Sequence, residues 1–303
     1  MTLTCARPIH CLSFDVEEHF QVSAFWSEER RQQWDRYESR VERNTMRVAD
    51  VLARHDTKAT FFVLGWVAER HPSLVKKLME RGHEIASHGY GHELVTALSP
   101  EQFRHDVRRA KCILEDLTGA PVLGYRAPSF SITAESQWAL SILVEEGYRY
   151  DSSMYDRFQR PGTTRASNGI VQIDTAAGRI WEISLSTLNV WGFQIPVAGG
   201  GYFRLFPYRA SRAVLQMLEN QDVRLMMYLH PWEIDTEQPR MDGPWLSQFR
   251  HYLNLHKTEK RLIALLGDFR FGSVAEVIGS VWSDERENSA VADWTQSSGS
   301  RVC

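Results

Sequence analysis

His88 and His92 stand four residues apart in Gly82-His83-Glu84-Ile85-Ala86-Ser87-His88-Gly89-Tyr90-Gly91-His92. At that spacing two imidazoles can meet one metal ion, on a helical turn or in a tight loop. The glycines at 89 and 91 disfavour a helix and favour a loop cradle. The string is not a metalloprotease helix, because the position after His83-Glu84-x-x is Ser87 rather than histidine. Upstream, Phe14-Asp15-Val16-Glu17 closes a short apolar run. Residues i and i+2 of a strand face the same way, so Asp15 and Glu17 can enter one pocket. Two carboxylates held together repel unless one meets a metal and the other a cation or a proton. Two histidines and one carboxylate leave a divalent ion with open positions, as a catalytic site requires.

Three further residues carry possible chemistry. Arg126 can hold a carboxylate through a bidentate pair. Asp151 can orient an imidazole, and His230 can act as a general acid. Each also has an ordinary structural reading: a surface salt bridge, a turn residue, a satisfied core histidine. Five polar positions behind five successive strands make the chemical reading the better joint one.

The elements that must position these residues alternate. Apolar runs predict strands at Ile9–Phe14, Ala59–Leu64, Glu84–Ser87, Pro121–Tyr125, Tyr148–Tyr150, Ile180–Leu185 and Arg224–Leu229. Helical patterns cover Ser73–Arg81, Pro100–Leu117, Ala134–Glu146 and Trp245–Lys257, the first three closed by Gly82, Gly119 and Gly147. Alternation of this kind predicts an α/β fold with a mostly parallel sheet. The polar candidates fall just after strands, where α/β barrels build their active sites. Residues 241–281 are expected to pack on the same domain, and 282–303 to form a disordered tail.

The 303 residues are 43% hydrophobic with a formal net charge of −3, enough for a sizeable core and without the basic stripe that nucleic-acid binding needs. Cys5, Cys11, Cys112 and Cys303 form no C-x-x-C pair and are expected to be free thiols. No signal peptide and no apolar run of about 20 residues is visible. The corresponding expectation is a cytoplasmic protein, or one peripheral at the inner face of the membrane. Gly199-Gly200-Gly201 is not followed by Gly-Lys-Ser/Thr, so it reads as a tight turn or close backbone approach that can line a groove. Trp191, Tyr202 and Trp232 are candidates for stacking on sugar faces, with core packing as the alternative.

Taken in order, Phe14-Asp15-Val16-Glu17, Ser87-His88-Gly89-Tyr90-Gly91-His92, Tyr125-Arg126-Ala127-Pro128, Asp151 and Leu229-His230 resemble the NodB-type polysaccharide deacetylases, carbohydrate esterase family 4. The stretches Asp15-Val16-Glu17-Glu18-His19-Phe20, Gly199-Gly200-Gly201-Tyr202-Phe203-Arg204 and His230-Pro231-Trp232-Glu233 bring the resemblance closer to the subfamily of exosortase (PEP-CTERM) exopolysaccharide loci. The resemblance implies a distorted (β/α)7 barrel of the NodB type spanning residues 1–281, and a metal-dependent hydrolase that removes N-acetyl groups. It implies Asp15 as catalytic base and Glu17, His88 and His92 as ligands of a divalent ion, zinc first, with cobalt, nickel or manganese as alternatives. Arg126 would orient Asp15, and Asp151 would tune His230. The adjacent family aspartate is Val16 here, the tyrosine after Arg-x-Pro is Ser129, and the leucine two before the histidine is Tyr228. Ser129 would still offer a backbone N–H to an oxyanion, and Tyr228 would reshape the acetyl pocket. Trp232, Gly200 and Tyr202 complete the expected substrate contacts. The implied substrate is an N-acetylated oligo- or polysaccharide or a lipid-linked sugar. O-deacetylation, cyclic-amide hydrolysis, iron oxygenase chemistry and a catalytically dead glycan-binding protein stay open at this point.

Overall fold

The first apolar run extends further than its pattern predicts: β1 (Ile9–Val16) keeps Asp15 inside the strand and leaves Glu17 just beyond it. The computed structural model describes residues 8–154, 169–190, 193–221 and 223–279. The other strands are β2 (Thr60–Val63), β3 (Glu84–Ser87), β4 (Gly124–Tyr125), β5 (Tyr150–Asp151), β6 (Ile170–Thr175), β7 (Gly178–Ile183), β8 (Thr187–Val190), β9 (Phe193–Pro196), β10 (Met226–Leu229) and β11 (Arg270–Gly272).

The main sheet runs β10-β1-β2-β3-β4-β5-β7-β6. From β10 through β7 every pairing is parallel, and β6 adds an antiparallel hairpin to the β7 edge. The expected α/β architecture of the NodB type is therefore present, with seven parallel strands. Among the described residues no ladder closes the barrel between β7 and β10. The seam is bridged instead by Ser186 Oγ, which accepts from Met226 N at 2.8 Å, and by a single bridge between Gly199 and Tyr228. Strands β6, β8, β9 and β11 were not among those expected. All four are short and partly polar, and β6 and β7 join across a tight turn at Gly178, whose φ is +129°.

Buried apolar residues form two clusters, a large one between the strands and the covering helices and a smaller one that includes Phe62, Tyr150, Trp181 and Met226. Members of the larger cluster include Leu262, Leu265 and Phe269 of the C-terminal region. The predicted helix at Trp245–Lys257 is divided into Trp245–Tyr252 and Leu255–Asp268, because Asn254 takes φ 53° and turns the chain. The helix Pro100–Thr118 begins with a Ser99/Gln102 capping box and stops at Gly119 in the left-handed conformation. Cys11 is a buried free thiol, but Cys112 is disulfide-bonded, which corrects the expectation of four free thiols. No described helix is long and apolar enough to cross a membrane. The expected tail, 282–303, lies outside the described residues.

Two glycines separate steric from conformational demands. A Cβ on Gly124 would fall inside the Tyr150 ring, whose hydroxyl donates to Glu84 Oε1 at 2.7 Å. A Cβ on Gly119 meets nothing within 4 Å and pays only for its φ of +65°. Urea unfolding should therefore show a loss of about 1–3 kcal/mol or more for Gly124→Ala through overpacking, and about 1–2 kcal/mol for Gly119→Ala. A neutral Gly124→Ala would contradict the β4–β5 packing described here.

Candidate functional site

The polar candidates sit at or just beyond the C-terminal ends of parallel strands, along one rim of the sheet. Glu17 follows β1, with its N–H donating back to Asp15 O at 3.1 Å. This tight reversal aims its carboxylate at the loop after β3. Glu17 Oε2 lies 2.6 Å from His92 Nε2 and 3.8 Å from His88 Nε2. One donor atom from each of the three residues falls within 4.8 Å of the others, and all three side chains are buried.

The histidine loop is held from outside. Asp106, on the helix Pro100–Thr118, accepts from Tyr90 N at 2.9 Å and Gly91 N at 3.1 Å. Gly89, at φ +74°, leaves room for that carboxylate. His92 also adopts a positive φ, 54°. His88 Nδ1 donates to Arg126 O at 2.9 Å, and because a carbonyl only accepts, Nε2 is the nitrogen left with a lone pair.

The donor set fits a divalent cation. Glu17 Oε2 and His92 Nδ1 are buried without a hydrogen-bond partner among the described residues. Orphaned buried polar atoms are costly, and a cation between Glu17 Oε2 and the two Nε2 atoms would relieve the first of them. The other oxygen, Glu17 Oε1, accepts from Trp232 Nε1 at 3.2 Å. Burial by itself raises a carboxyl pKa, but the imidazoles of His92, His230 and His88 outweigh it and hold Glu17 down to about 2. Burial lowers His88 to about 4, leaving the neutral ring that a metal needs.

Asp15 is fixed beside this cluster. Arg126 is fully buried, and its Nη1 donates to Asp15 Oδ1 at 2.7 Å and to Ser13 Oγ at 2.8 Å. Its remaining nitrogens donate to Ser152 O and Ser152 Oγ, so the expected Arg126–Asp15 contact is present and rigid. His230 Nε2 faces Asp15 Oδ2 at 3.9 Å and Glu17 Oε1 at 3.8 Å.

Asp151 does not reach His230. It accepts from Ser153 Oγ at 2.5 Å and forms a buried carboxyl pair with Glu182, both raised by burial, Asp151 to about 6. Glu233 stands in its place: its Oε1 accepts from His230 Nδ1 at 2.7 Å and from His230 N at 3.1 Å. Chain geometry explains the substitution, since an i+3 carboxylate folds back on its own capping turn whereas Asp151 is engaged by Ser153 and Glu182. Arg204 Nε donates to Glu233 Oε2 at 2.8 Å. A Cβ on Gly200 would overlap the Glu233 carboxylate, so the triple glycine provides a close backbone approach. Burial lowers an imidazole pKa, but Glu17, Glu233 and Asp15 outweigh it and raise His230 to about 9.

The expected substrate contacts divide. Tyr228 lines the site, its ring 5.9 Å from His230 and 4.8 Å from Phe130. Ser129 sits at φ 53° on the loop after Arg126, with its Oγ 2.6 Å from Ser23 Oγ. Trp232 is buried, stacked between His230 at 5.0 Å and His251 at 4.2 Å, which corrects its expected role as a sugar platform. Tyr202 is exposed and stacks on Phe206. Trp191 lies outside the described residues. The sequence reading missed Asp106, Arg204 and Glu233 as supports. The available signal for Glu233 was its i+3 spacing from His230, a capping-box interval.

Residues 33–150 match the family model described as polysaccharide deacetylase, and residues 152–279 match one described as a domain of unknown function (DUF3473). A peptidoglycan-N-acetylglucosamine deacetylase of Bacillus cereus is 33% identical over 96 residues, 31% of this chain and 35% of its own. A Helicobacter pylori peptidoglycan deacetylase is 27% identical over 128 residues, covering 42% and 43%. The matches thus span less than half the length of these curated relatives. A solved Mycobacterium smegmatis structure assigned to the polysaccharide deacetylases superposes with a TM-score of 0.64 at 18% identity, covering 92% of this chain and 91% of its own, and shows the shared fold. The family model and these relatives make the N-terminal half of the chain similar to polysaccharide deacetylases.

Glu233→Gln should lower the His230 pKa of the metal-free protein by on the order of one pH unit, because one of its carboxylate partners is removed. Since the folded-state pKa is raised above 6.5, the stability His230 contributes is present below pH 6.5 and is lost as pH rises through about 9. Histidine C–H shifts followed by NMR titration read this directly. An unchanged His230 titration would contradict the assignment of Glu233 as its partner.

Proposed function

We propose that the chain hydrolyses N-acetyl groups on a glycan or glycan precursor, with a divalent ion held by Glu17, His88 and His92. The observation that carries this reading is the convergence of that ligand set with Asp15 and His230 in one buried volume. Zinc suits two imidazoles and one carboxylate with open positions. When bound, such a cation supplies polarisation of the acetamide carbonyl and acidification of water.

The chain's own residues supply the proton transfers. Asp15 Oδ1 is tied to Arg126, which leaves Oδ2 facing the site to take the proton of the attacking water. Arg126 stops that carboxylate rotating. The Ser129 backbone N–H is the proposed donor to the oxyanion. His230, held by Glu233 through Nδ1, presents Nε2 to give a proton to the departing amine. The products are acetate and a free amino sugar. The motif resemblance supports a place in exopolysaccharide synthesis, acting on a polymer or a lipid-linked sugar.

Acetate release from N-acetylated chitooligosaccharides tests this reading. Asp15→Asn and His230→Ala are each expected to lower turnover by roughly 10²–10⁴. A chelator should abolish turnover and zinc should restore it. Undiminished acetate release in both variants would sink the proposal.

A further inference from the structure

Three carboxylates crowd the end of β1, and each is claimed by different partners. Asp15 Oδ1 accepts from Arg126, and Glu18 Oε1 accepts from the backbone N–H groups of Arg40 and Val41 at 3.0 and 3.2 Å. Glu17 stands between these two in the chain, and its own two oxygens have unlike surroundings. Oε2 faces the Nε2 atoms of His92 and His88. Oε1 accepts from Trp232 Nε1 at 3.2 Å. His230 Nε2 lies 3.8 Å from that second oxygen, beyond hydrogen-bond reach.

The indole that makes this bond is clamped on both faces. Its ring stacks on His230 at 5.0 Å and on His251 at 4.2 Å. His251 is braced in turn by the Phe25 ring at 5.1 Å and by Gln238 Oε1, 2.7 Å from its Nε2. Gln238 Nε2 returns to the Trp232 carbonyl at 2.9 Å, so the backbone of the indole is held as well. An indole N–H only donates, and a buried donor needs an acceptor. Glu17 is the acceptor this fold supplies, and a bond to an ionised carboxylate is stronger than one between neutral groups. Any flat ring could fill the stack. The N–H is the part of this side chain that the carboxylate uses.

We propose that Trp232 is a positioning residue that reserves Glu17 Oε1 and presents Oε2 alone to the cation, an extension that rests on Glu17, His88 and His92 as the ligand set. A carboxylate free to turn can place both oxygens on a divalent ion. The second oxygen would then take a position that water or the acetamide carbonyl needs. The indole bond also keeps Oε1 from turning to His230 Nε2, the atom that faces the departing amine. One side chain thereby holds the metal ligand and the proton donor apart.

Zinc titration of the full-length chain tests this through a double-mutant cycle. Trp232→Phe keeps a flat ring in the stack and removes the N–H. It should weaken zinc binding by about 10–100-fold in the wild-type background, but by less than about threefold where Glu17→Gln is already present. A ring that only supports the fold would cost the same factor in both backgrounds, and that result would overturn the proposal. Unchanged zinc affinity in Trp232→Phe, or a wild-type chain that binds no zinc, would overturn it too. If Trp232→Phe does not fold, the indole N–H proton resonance of Trp232 decides the matter. It should move upfield in Glu17→Gln as the charge-assisted bond weakens, and an unmoved resonance would overturn the proposal. Zinc affinity is read without turnover. The expected coupling with no acetate release would therefore strike the deacetylase reading and leave the positioning role standing, and acetate release without coupling would do the reverse.

Discussion

The Glu17 carboxylate is the constraint on which the site turns. It is 2% exposed, beyond the end of a buried strand, with three imidazoles around it. Burying an ionised carboxylate without partners is prohibitive, so everything near it must be positive, hydrogen-bond donating or metal-binding. The indole N–H of Trp232 satisfies one oxygen, and the other faces His88 and His92. The pinned Arg126 carbonyl fixes His88, and Asp106 fixes the loop that brings His92. Val16 is fully buried in the core, so of the carboxylates at the end of this strand Glu17 is the one that meets the two imidazoles.

The candidate site draws on three stretches of chain, since Asp15 and Glu17 precede both matched segments. The histidine pair and Arg126 belong to the segment that matches the deacetylase family. His230, Glu233 and Arg204 belong to the segment matched only as a domain of unknown function. That latter segment positions the imidazole to which the proposed mechanism gives the acid role. Arg204 is anchored on three backbone carbonyls and fixes Glu233, which in turn fixes the His230 ring. Gly200 is required because the helix it opens approaches the carboxylate too closely for any side chain. Deleting one partner of such a buried charge network costs about 3–5 kcal/mol, far more than a surface pair. The stack of His230, Trp232 and His251 ties this acid to the C-terminal helices.

Much of this was legible in the amino-acid sequence. Strand-end placement and the His-x-x-x-His interval pointed to the ligand set, because period and spacing are local properties. The parallel α/β alternation was legible for the same reason. The acid's support was not, because the approach of Arg204 to Glu233 depends on how distant segments pack. Asp151 looked like the partner of His230 by its place in the motif order, but it is engaged by Ser153 and Glu182 instead. Trp232 looked like a sugar platform because an isolated tryptophan gives no sign of being sandwiched between two imidazoles. The open seam between β7 and β10, spanned by the Ser186 hydroxyl and the Gly199–Tyr228 bridge, also lies beyond any local pattern.

The most direct test of the central claim is calorimetric titration of zinc into the metal-free full-length chain. One zinc should bind per chain. Glu17→Gln should weaken binding by more than about 100-fold, while Asp15→Asn should leave it within about tenfold. Unchanged affinity in Glu17→Gln, or a loss confined to Asp15→Asn, would contradict the assignment of Glu17 as the carboxylate ligand.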